Sequence, residues 1–427
     1  MRILFVSHSA ELHGAEYSLL RLLKNLIGQI DPIVLSPPDG PFPQAVRELG
    51  ITIYDYRPAY PLRRVGKGGS ILARFLPALR GNLASLKDHI PRPDLVHSNT
   101  LYVWEGALLA SCWGVPHVWN LREILAHSPT WTPLLPLNSH MGLMGLLSDR
   151  FICVSEALRS TLPEVLRVKS TVIHNGLDPL DLVDRDESRR VFQERFGIAP
   201  TAKVALTVGN FIPEKAHRFL LPLMKGLCEK HEDLVFLWVG RHDFCHGEIM
   251  REVAMLGLSE RVVAPGAVPG FGRFYRGADV YILSSETEAF PTVVLESLLA
   301  GVPVVARACG GVGEILEQGG GELVPLHEGP ALAEAVDRVL CGSRYKPCQL
   351  DFSMKTMAAT YLKEYEGVAA LNVPSEERRA LYESILALSA DLELADIPSD
   401  KDAGIKGSAR RLVKALMMRL LRVTRKP

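Results

Sequence analysis

The stretch that most constrains the fold of this chain runs from Asp279 to Glu314. Four apolar residues, 280–283, predict a buried strand, and the apolar-rich segment 293–300, which stops at Gly301, predicts a helix. A second apolar run at 302–305 and a pair of glycines complete the pattern. A strand, a helix and a second strand in this order predict a parallel sheet covered by helices.

Two carboxylates stand out in this stretch, with seven residues between them. Glu288 precedes the predicted helix, and Glu296 lies inside it among apolar residues, where an unpaired charge is costly. Pro291 is predicted in the first helical turn, where its missing N–H costs nothing. The turn 290–293 presents free backbone N–H groups, and such a helix start holds phosphate or another anion without a metal. The alternative is a pair of ordinary surface glutamates.

The same alternation of strands and helices fills the rest of the chain. We expect ligands of such parallel sheets at the carboxyl ends of the strands. Apolar runs predict strands of a first sheet near residues 3–6, 33–35, 51–54, 95–97, 117–119, 151–154 and 171–173, and of a second sheet near 204–208, 235–240, 262–263, 280–283, 302–305 and 323–325.

The order E-A-F-P-x-V-x-L-E, A-G-V-P-V-V-A and G-G-x-x-E across residues 288–314 resembles the donor-binding core of glycosyltransferase family 4, retaining enzymes of GT-B fold. The resemblance covers roughly residues 1–370 and implies an α/β chain with two Rossmann-like, doubly wound parallel-sheet domains facing a cleft. The expected parts are an acceptor domain over 1–180, a donor domain over 181–350, a helix over 351–370 that crosses back, and an appended helix with a basic tail over 371–427.

Other segments resemble family motifs with substitutions. His13 replaces the first glycine of a G-G-A-E loop, and Gly14 keeps the second; the alternative is a plain helix start with Glu16 serving the helix dipole. In the phosphate segment that follows residue 208, Lys215 matches the diphosphate-binding lysine, whereas Asn210 replaces the usual arginine and Ala216 the usual glycine.

Arg122 stands where many family members place a histidine that faces the reacting sugar. Two interpretations remain open: Arg122 takes over an electrostatic task, or it forms an ion pair with Glu123 at the cleft. Asp184-Arg185-Asp186 superficially matches the D-x-D of metal-dependent transferases, but it lies in a solvated, mixed-charge run. We therefore expect no metal site and no cofactor other than the nucleotide sugar that serves as donor.

By resemblance, Glu296 accepts hydrogen bonds from the ribose, Glu288 holds hydroxyls of the donor sugar, and Lys215 neutralises the leaving diphosphate. These roles assign the catalytic residues as Glu288, Lys215 and Arg122. The donor-binding residues are Glu296, Gly14, Asn210, Phe290, Pro291, Thr292 and Val293.

The function implied is a metal-independent, hexosyltransferase-type enzyme that moves a sugar to a glycan or lipid-linked acceptor in polysaccharide or glycolipid synthesis. The basic segment 60–92 is predicted either to help bind an anionic acceptor or to be a solvated loop and helix. Two alternatives remain: a nucleotide-sugar epimerase or hydrolase of the same fold, and a non-catalytic binding subunit.

The charge balance and the chain ends bear on partners and location. With 48 basic and 48 acidic residues, no global field attracts nucleic acid. The chain enters its first predicted strand at residue 3, so we expect no secretory leader and a cytoplasmic location, at the inner membrane face if the tail binds lipid. Residues 405–427 contain eight basic and no acidic residues, and their helical pattern predicts either peripheral binding to an anionic membrane or a packed or disordered tail.

Overall fold

The structure is a computed structural model that describes residues 1–65, 71–125, 128–349, 351–371 and 375–394. The described chain divides into two compact units. The first unit contains Met1–His174 and the described residues from Met354 onward, and the second is Asn175–Ser353. The first passage of the chain from one unit to the other falls between His174 and Asn175.

Within its described residues, the first unit holds a seven-stranded sheet of order β3-β2-β1-β5-β6-β8-β9, with all neighbouring strands parallel. Strands β4 and β7 form a separate antiparallel ribbon. The strands are β1 (Arg2–Val6), β2 (Asp31–Ser36), β3 (Thr52–Asp55), β4 (Leu62–Arg64), β5 (Leu95–Ser98), β6 (His117–Leu121), β7 (Trp131–Pro133), β8 (Arg150–Cys153) and β9 (Ser170–Val172); the helices are α1 (Gly14–Leu26), α2 (Pro41–Glu48), α3 (Ile71–Leu86), α4 (Glu105–Trp113), α5 (Leu137–Leu147), α6 (Glu156–Ser160) and α7 (Glu164–Arg167).

The second unit, as far as it is described, holds a six-stranded parallel sheet of order β12-β11-β10-β13-β14-β15. Short 3-10 turns occupy Pro213–Lys215, His217–Leu220, Ser259–Arg261 and Phe271–Gly277. The strands are β10 (Lys203–Val208), β11 (Leu234–Val239), β12 (Val262–Gly266), β13 (Val280–Leu283), β14 (Val304–Arg307) and β15 (Gly321–Val324); the helices are α8 (Arg185–Phe196), α9 (Leu221–Lys230), α10 (His246–Met255), α11 (Thr292–Leu299), α12 (Val312–Leu316) and α13 (Gly329–Leu340).

Two helices from the end of the chain, α14 (Met354–Ala369) and α15 (Ser375–Leu394), complete the first unit. Tyr361 and Tyr365 of α14 are fully buried in the same apolar core as Phe5 of β1. The Tyr365 hydroxyl lies 2.9 Å from Nδ1 of His97. Burial lowers the pKa of His97 to about 3, so this imidazole is neutral at neutral pH.

Helix α15 is held by a bidentate ion pair. Arg378 donates through Nη1 to Oδ2 of Asp149 at 2.6 Å and through Nη2 to Oδ1 at 2.5 Å. Asp149 also accepts from the backbone N–H of His117 at 2.8 Å, at the start of β6. Both charged side chains are under a tenth exposed, at 5% and 8%. This pair therefore ties the last described helix to the amino ends of β6 and β8.

The parallel sheets confirm the α/β fold predicted from the apolar runs, with two local differences. Helix α11 begins at Thr292, so Pro291 is the residue before the helix and not part of its first turn. The ribbon of β4 and β7 was not predicted, because three-residue strands carry too little pattern. Within the basic segment 60–92, α3 buries an apolar face that includes Phe75, Leu79 and Leu83, and both interpretations of this segment stay predictions.

No helix among the described residues is both long and apolar enough to cross a membrane. The predicted amphipathic tail, residues 405–427, lies outside the described residues.

Candidate functional site

The candidate donor site lies at the carboxyl ends of the central strands of the second sheet. Lys215 lies in a 3-10 turn that follows β10, and Glu288 lies in the loop between β13 and α11. Because β10 and β13 are neighbours in the sheet, their carboxyl ends bring these two loops together. The backbone N–H of Glu286 donates to the carbonyl of Glu214 at 2.9 Å, which joins one loop directly to the other.

Lys215 and Glu288, predicted to serve different parts of the donor, contact each other. Nζ of Lys215 lies 2.6 Å from Oε1 of Glu288, and the two side chains are 25% and 12% exposed. The Ser285 hydroxyl donates to the same oxygen at 2.7 Å, and the Ser284 hydroxyl donates to the carbonyl of Lys215 at 2.8 Å. The loops therefore hold a cation, a carboxylate and a hydroxyl at one point, each in a fixed position.

Two glycines make room for this arrangement. A Cβ atom on Gly209 would lie 3.2 Å from Cδ of Lys215, so a larger residue would require the lysine side chain to shift. A Cβ atom on Gly240 would lie 2.0 Å from the carbonyl oxygen of Gly209, so only glycine fits there. The Asn210 side chain joins the same two loops, because its Oδ1 accepts from the backbone N–H of Arg241 at 3.1 Å.

Ala216, which replaces the family's usual glycine, has a φ of +47° and is the non-glycine residue with positive φ in the described part of the chain. A left-handed backbone places Cβ too close to the following carbonyl oxygen and costs an L-residue about 1–2 kcal/mol. The turn after Lys215 therefore stores strain immediately beside the candidate phosphate-binding group.

Replacing Ala216 by glycine is expected to stabilise the protein by about 1 kcal/mol, because glycine adopts this backbone conformation without the Cβ conflict. The midpoint of urea denaturation measures the change. Ala333→Gly, in the interior of α13, is the matched control and is expected to destabilise by about 1 kcal/mol. A loss of stability in Ala216→Gly would contradict the strain at this turn.

Glu296, in the second turn of α11, has a partner that sequence reasoning missed. The hydroxyl of Tyr275 donates to Oε2 of Glu296 at 3.0 Å. Burial first, and then the charge of Glu296, raises the pKa of Tyr275 well above its ordinary value, so the phenol stays a neutral donor. The tyrosine thus fixes one carboxylate oxygen. No signal in the sequence links these residues, which lie 21 positions apart.

Arg307, at the end of β14, was also missed by sequence reasoning. Its buried guanidinium donates through Nη1 to the carbonyl of Ser284 at 2.6 Å and through Nε to the carbonyl of Leu326 at 2.5 Å. Its Cζ atom lies 3.8 Å from the ring centre of Phe219. A buried charge with two carbonyl partners is a fixed anchor, and here it holds the loop that carries Ser285 and Glu288.

The turn predicted to offer backbone N–H groups, Phe290 to Val293, is anchored at its first residue. Asn175 donates through Nδ2 to the carbonyl of Phe290 at 3.2 Å. Phe290 and Pro291 are buried, whereas Thr292 and Val293, the first two residues of α11, are partly exposed. A partly exposed helix start is accessible to an anion, as the predicted role requires. The binding of an anion at this turn stays a prediction.

In the first unit, Gly14 and Arg122 lie on separate connections, which follow β1 and β6. Gly14 begins α1, and a Cβ atom there would meet open space. Glu16 is fully buried in the first turn of α1; the Ser7 hydroxyl donates to its Oε1, and Nδ1 of His8 lies 3.1 Å from the same atom. Glu16 is therefore tied to the loop after β1 and is not a solvated surface carboxylate.

Arg122 follows β6 and donates through Nε to Oδ1 of Asn99, at 3.2 Å. Burial raises the pKa of the neighbouring Glu123 to about 7, while the charges of His8 and Arg122 act in the opposite direction. The structure thus gives Arg122 an amide partner. It leaves Glu123 as a buried carboxyl group whose titration lies near neutral pH.

Two groups with the composition of metal sites have other partners. Asp184 of the D-x-D sequence caps α8 by accepting from the backbone N–H of Glu187 at 2.8 Å. In the described residues, His231, Asp337 and Cys341 form a cluster with metal-ligand spacing. Lys230 donates to Asp337 at 2.6 Å, however, and Nζ of Lys203 lies 3.1 Å from Nδ1 of His231. The imidazole and the carboxylate of this cluster thus each have an ammonium partner, and Nε2 of His231 lies 2.7 Å from Oδ1 of Asp337.

Both halves of the chain match models of known protein families. A family model described as Glycosyltransferase Family 4 matches residues 12–179, and one described as Glycosyl transferases group 1 matches residues 202–341. An uncharacterized glycosyltransferase of Methanocaldococcus jannaschii, MJ1607, is 30% identical over 207 residues, which are 45% of this chain and 51% of the relative. A D-inositol 3-phosphate glycosyltransferase of Mycolicibacterium gilvum is 28% identical over 260 residues, or 58% of each chain. The chain thus spans little more than half the length of these relatives.

Solved structures share the fold at low identity. A structure of Anabaena Alr3699/HepE in complex with UDP and glucose has a TM-score of 0.66 at 20% identity, covering 87% of this chain and 100% of that one. A UDP-GlcNAc 2-epimerase from Methanocaldococcus jannaschii has a TM-score of 0.53 at 15% identity, covering 86% and 100%. Similarity at these identities is similarity of fold.

Proposed function

Because the chain belongs to the glycosyltransferases described as group 1 and family 4, of GT-B fold, we propose that it transfers a sugar from a nucleotide diphosphate sugar to an acceptor. The observation that carries this proposal is the Lys215–Glu288 contact, supported by Ser285, at the carboxyl ends of parallel strands. Such a place is where α/β sheets bind ligands. The nucleotide sugar is the donor, and we assign it to the second unit.

The chemistry follows from the charges at this point. An ammonium group has three donors, so Lys215 can keep Glu288 as a partner and still donate to a diphosphate oxygen. The N–H groups at the start of α11 add positive potential for the same diphosphate. Glu288 has a second oxygen, Oε2, with which to accept from hydroxyls of the donor sugar. These groups stabilise the negative charge that develops as the diphosphate leaves.

We further propose that the transfer retains the anomeric configuration. The bond from the sugar C1 to the diphosphate oxygen breaks, and the acceptor oxygen forms its bond to C1 from the same face. The acceptor proton passes to the departing phosphate oxygen, which balances the charge. In this scheme the protein forms no covalent intermediate, and Lys215 does the electrostatic work without a bound metal.

Product analysis tests the proposal. The full chain is incubated with UDP- and GDP-sugars, with and without glycan and lipid-linked acceptors, in the presence and absence of EDTA. Acceptor-dependent release of nucleotide diphosphate that survives EDTA is expected. Sugar rearrangement or release without an acceptor would instead identify an epimerase or hydrolase, and nucleotide-sugar binding without turnover would identify a binding subunit.

Replacing Glu296 by alanine is expected to weaken UDP or GDP binding roughly 10- to 150-fold, because a carboxylate that accepts from ribose hydroxyls contributes about 1.5–3 kcal/mol. Isothermal titration calorimetry measures the affinity. Tyr275→Phe, which keeps the carboxylate but removes its fixed partner, is expected to have a smaller effect. Unchanged affinity in a folded Glu296→Ala protein would refute the ribose assignment.

The acceptor is assigned to the first unit, as a glycan or a lipid-linked glycan of polysaccharide or glycolipid synthesis. A basic, amphipathic tail at 405–427 suits such an acceptor at a cytoplasmic membrane face. Cosedimentation with anionic liposomes is expected for the full chain, decreasing with salt, and not for a chain that ends near Ser399. Equal sedimentation of both chains would count against the tail.

A further inference from the structure

The second unit contains a cavity of about 920 Å³ that the proposed donor site does not use. Its lining includes Asp279 and Pro303, the residues immediately before β13 and β14, so it lies at the amino ends of these strands. Lys215 and Glu288 follow the carboxyl ends and take no part in the lining. The volume is within the range of about 300–1,000 Å³ that is typical of small-molecule sites.

Much of the lining is apolar. It includes Leu295 and Leu298 of α11, Val302, which follows this helix, and Phe352, the second-to-last residue of the unit in sequence. Leu299, at the carboxyl end of α11, also lines the cavity and is 52% exposed. Apolar surface left in water favours a ligand with an apolar body, because burial contributes about 25 cal/mol per Å².

Three arginines also line the cavity, and they differ in their partners. Arg185 is paired: its Nη2 donates to Asp279 at 2.6 Å, and its Nη1 to the carbonyl of Ala278 at 3.0 Å. Arg276 and Arg344 are exposed, and neither guanidinium has an acceptor among the residues that the structure describes. Asp279 is already shared by Arg185 and Arg189. Asp351 also lines the cavity, and its Oδ1 accepts from the backbone N–H of Ser353 at 2.9 Å. The cavity therefore carries two arginines without a carboxylate partner among the described residues, next to an apolar surface.

From this combination we propose that the cavity binds a single-chain amphiphile with a phosphate head group. A phosphate monoester carries a charge of about −1.5 to −2 and three acceptor oxygens, so it can neutralise two guanidiniums, whereas one carboxylate neutralises one. Guanidiniums bind phosphate with two parallel hydrogen bonds. The alkyl chain covers the leucines of α11. This site is distinct from the donor site and does not depend on the proposed transferase activity.

Calorimetry on the full chain tests the site with dodecyl phosphate below its micelle concentration. We expect saturable binding of one molecule, at least tenfold tighter than that of inorganic phosphate or of dodecyl maltoside. Arg276→Gln and Arg344→Gln are each expected to weaken it about tenfold, as for the loss of one charge-assisted contact. The matched control is Arg251→Gln, an exposed arginine of α10 outside the cavity, which leaves the affinity unchanged.

Two further variants distinguish binding in this cavity from binding of the phosphate alone and from binding in the donor site. Leu299→Gln removes exposed apolar surface and is expected to weaken binding of dodecyl phosphate but not of inorganic phosphate. Lys215→Gln is expected to leave the binding of dodecyl phosphate unchanged, because Lys215 lies in the donor site. The proposal is overturned by absence of binding, by equal affinity for phosphate with and without the alkyl chain, by unchanged affinity in both arginine variants, or by loss in Lys215→Gln.

Discussion

Replacing Lys215 by alanine is expected to lower the turnover number about 100- to 1,000-fold, the loss that follows removal of one preorganised donor to a developing negative charge. The structure adds a second reason. Glu288 would lose the ammonium group 2.6 Å from its Oε1 and keep the Ser285 hydroxyl as its partner there, so the carboxylate would no longer be fixed. Steady-state kinetics with donor and acceptor measure the change. Lys225→Ala, an exposed lysine of α9, is the matched control and is expected to retain wild-type turnover.

The contact between Lys215 and Glu288 also predicts how substitutions of the two residues combine. Because Lys215 and Glu288 act as a pair, Lys215→Ala and Glu288→Gln are expected to be strongly non-additive, the double variant losing little more than the worse single variant. Additive losses would show that the two side chains act independently. Near wild-type turnover in a folded Lys215→Ala protein would remove Lys215 from the mechanism.

Replacing Arg378 by alanine is expected to destabilise the first unit by about 3–5 kcal/mol, because it leaves the buried carboxylate of Asp149 without its bidentate partner. The urea midpoint of the first unit measures the loss, with amide exchange in β6 and β8 as a local probe. Arg379→Ala removes the next arginine, whose side chain is 71% exposed, and is expected to change stability by no more than about 0.5 kcal/mol. Equal effects of the two substitutions would show that α15 is not anchored by this pair.

Local pattern predicted much of the fold. Apolar runs located the strands of both large sheets, and the stop at Gly301 located the end of α11, because burial on both faces makes parallel strands continuously apolar. The family resemblance is confirmed by the models that match residues 12–179 and 202–341. Strands with only three residues, such as β4 and β7, carry too little pattern to be distinguished from loops.

The sequence predicted which residues form the candidate site, but it did not predict which of them contact each other. Lys215 and Glu288 are 73 positions apart, and only the adjacency of β10 and β13 brings them together. The order of strands in a sheet is a property of the tertiary fold, and the periodicity of apolar residues in the sequence does not determine it. Tyr275 and Arg307 were missed for the same reason, since each contacts a residue of another element that is distant in sequence. The roles given to these residues stay predictions until the variants are measured.

The discontinuous first unit has a consequence for biosynthesis. Tyr361 and Tyr365 belong to the core around β1, yet they are translated only after the whole of the second unit. At about 5–20 residues per second, a ribosome needs roughly 10–40 s to cover the intervening 180 or so residues. During that time the second unit, which is contiguous, can fold, while the nascent first sheet keeps part of its apolar face uncovered. The early chain is therefore the part that most needs a chaperone, although it is the part made first.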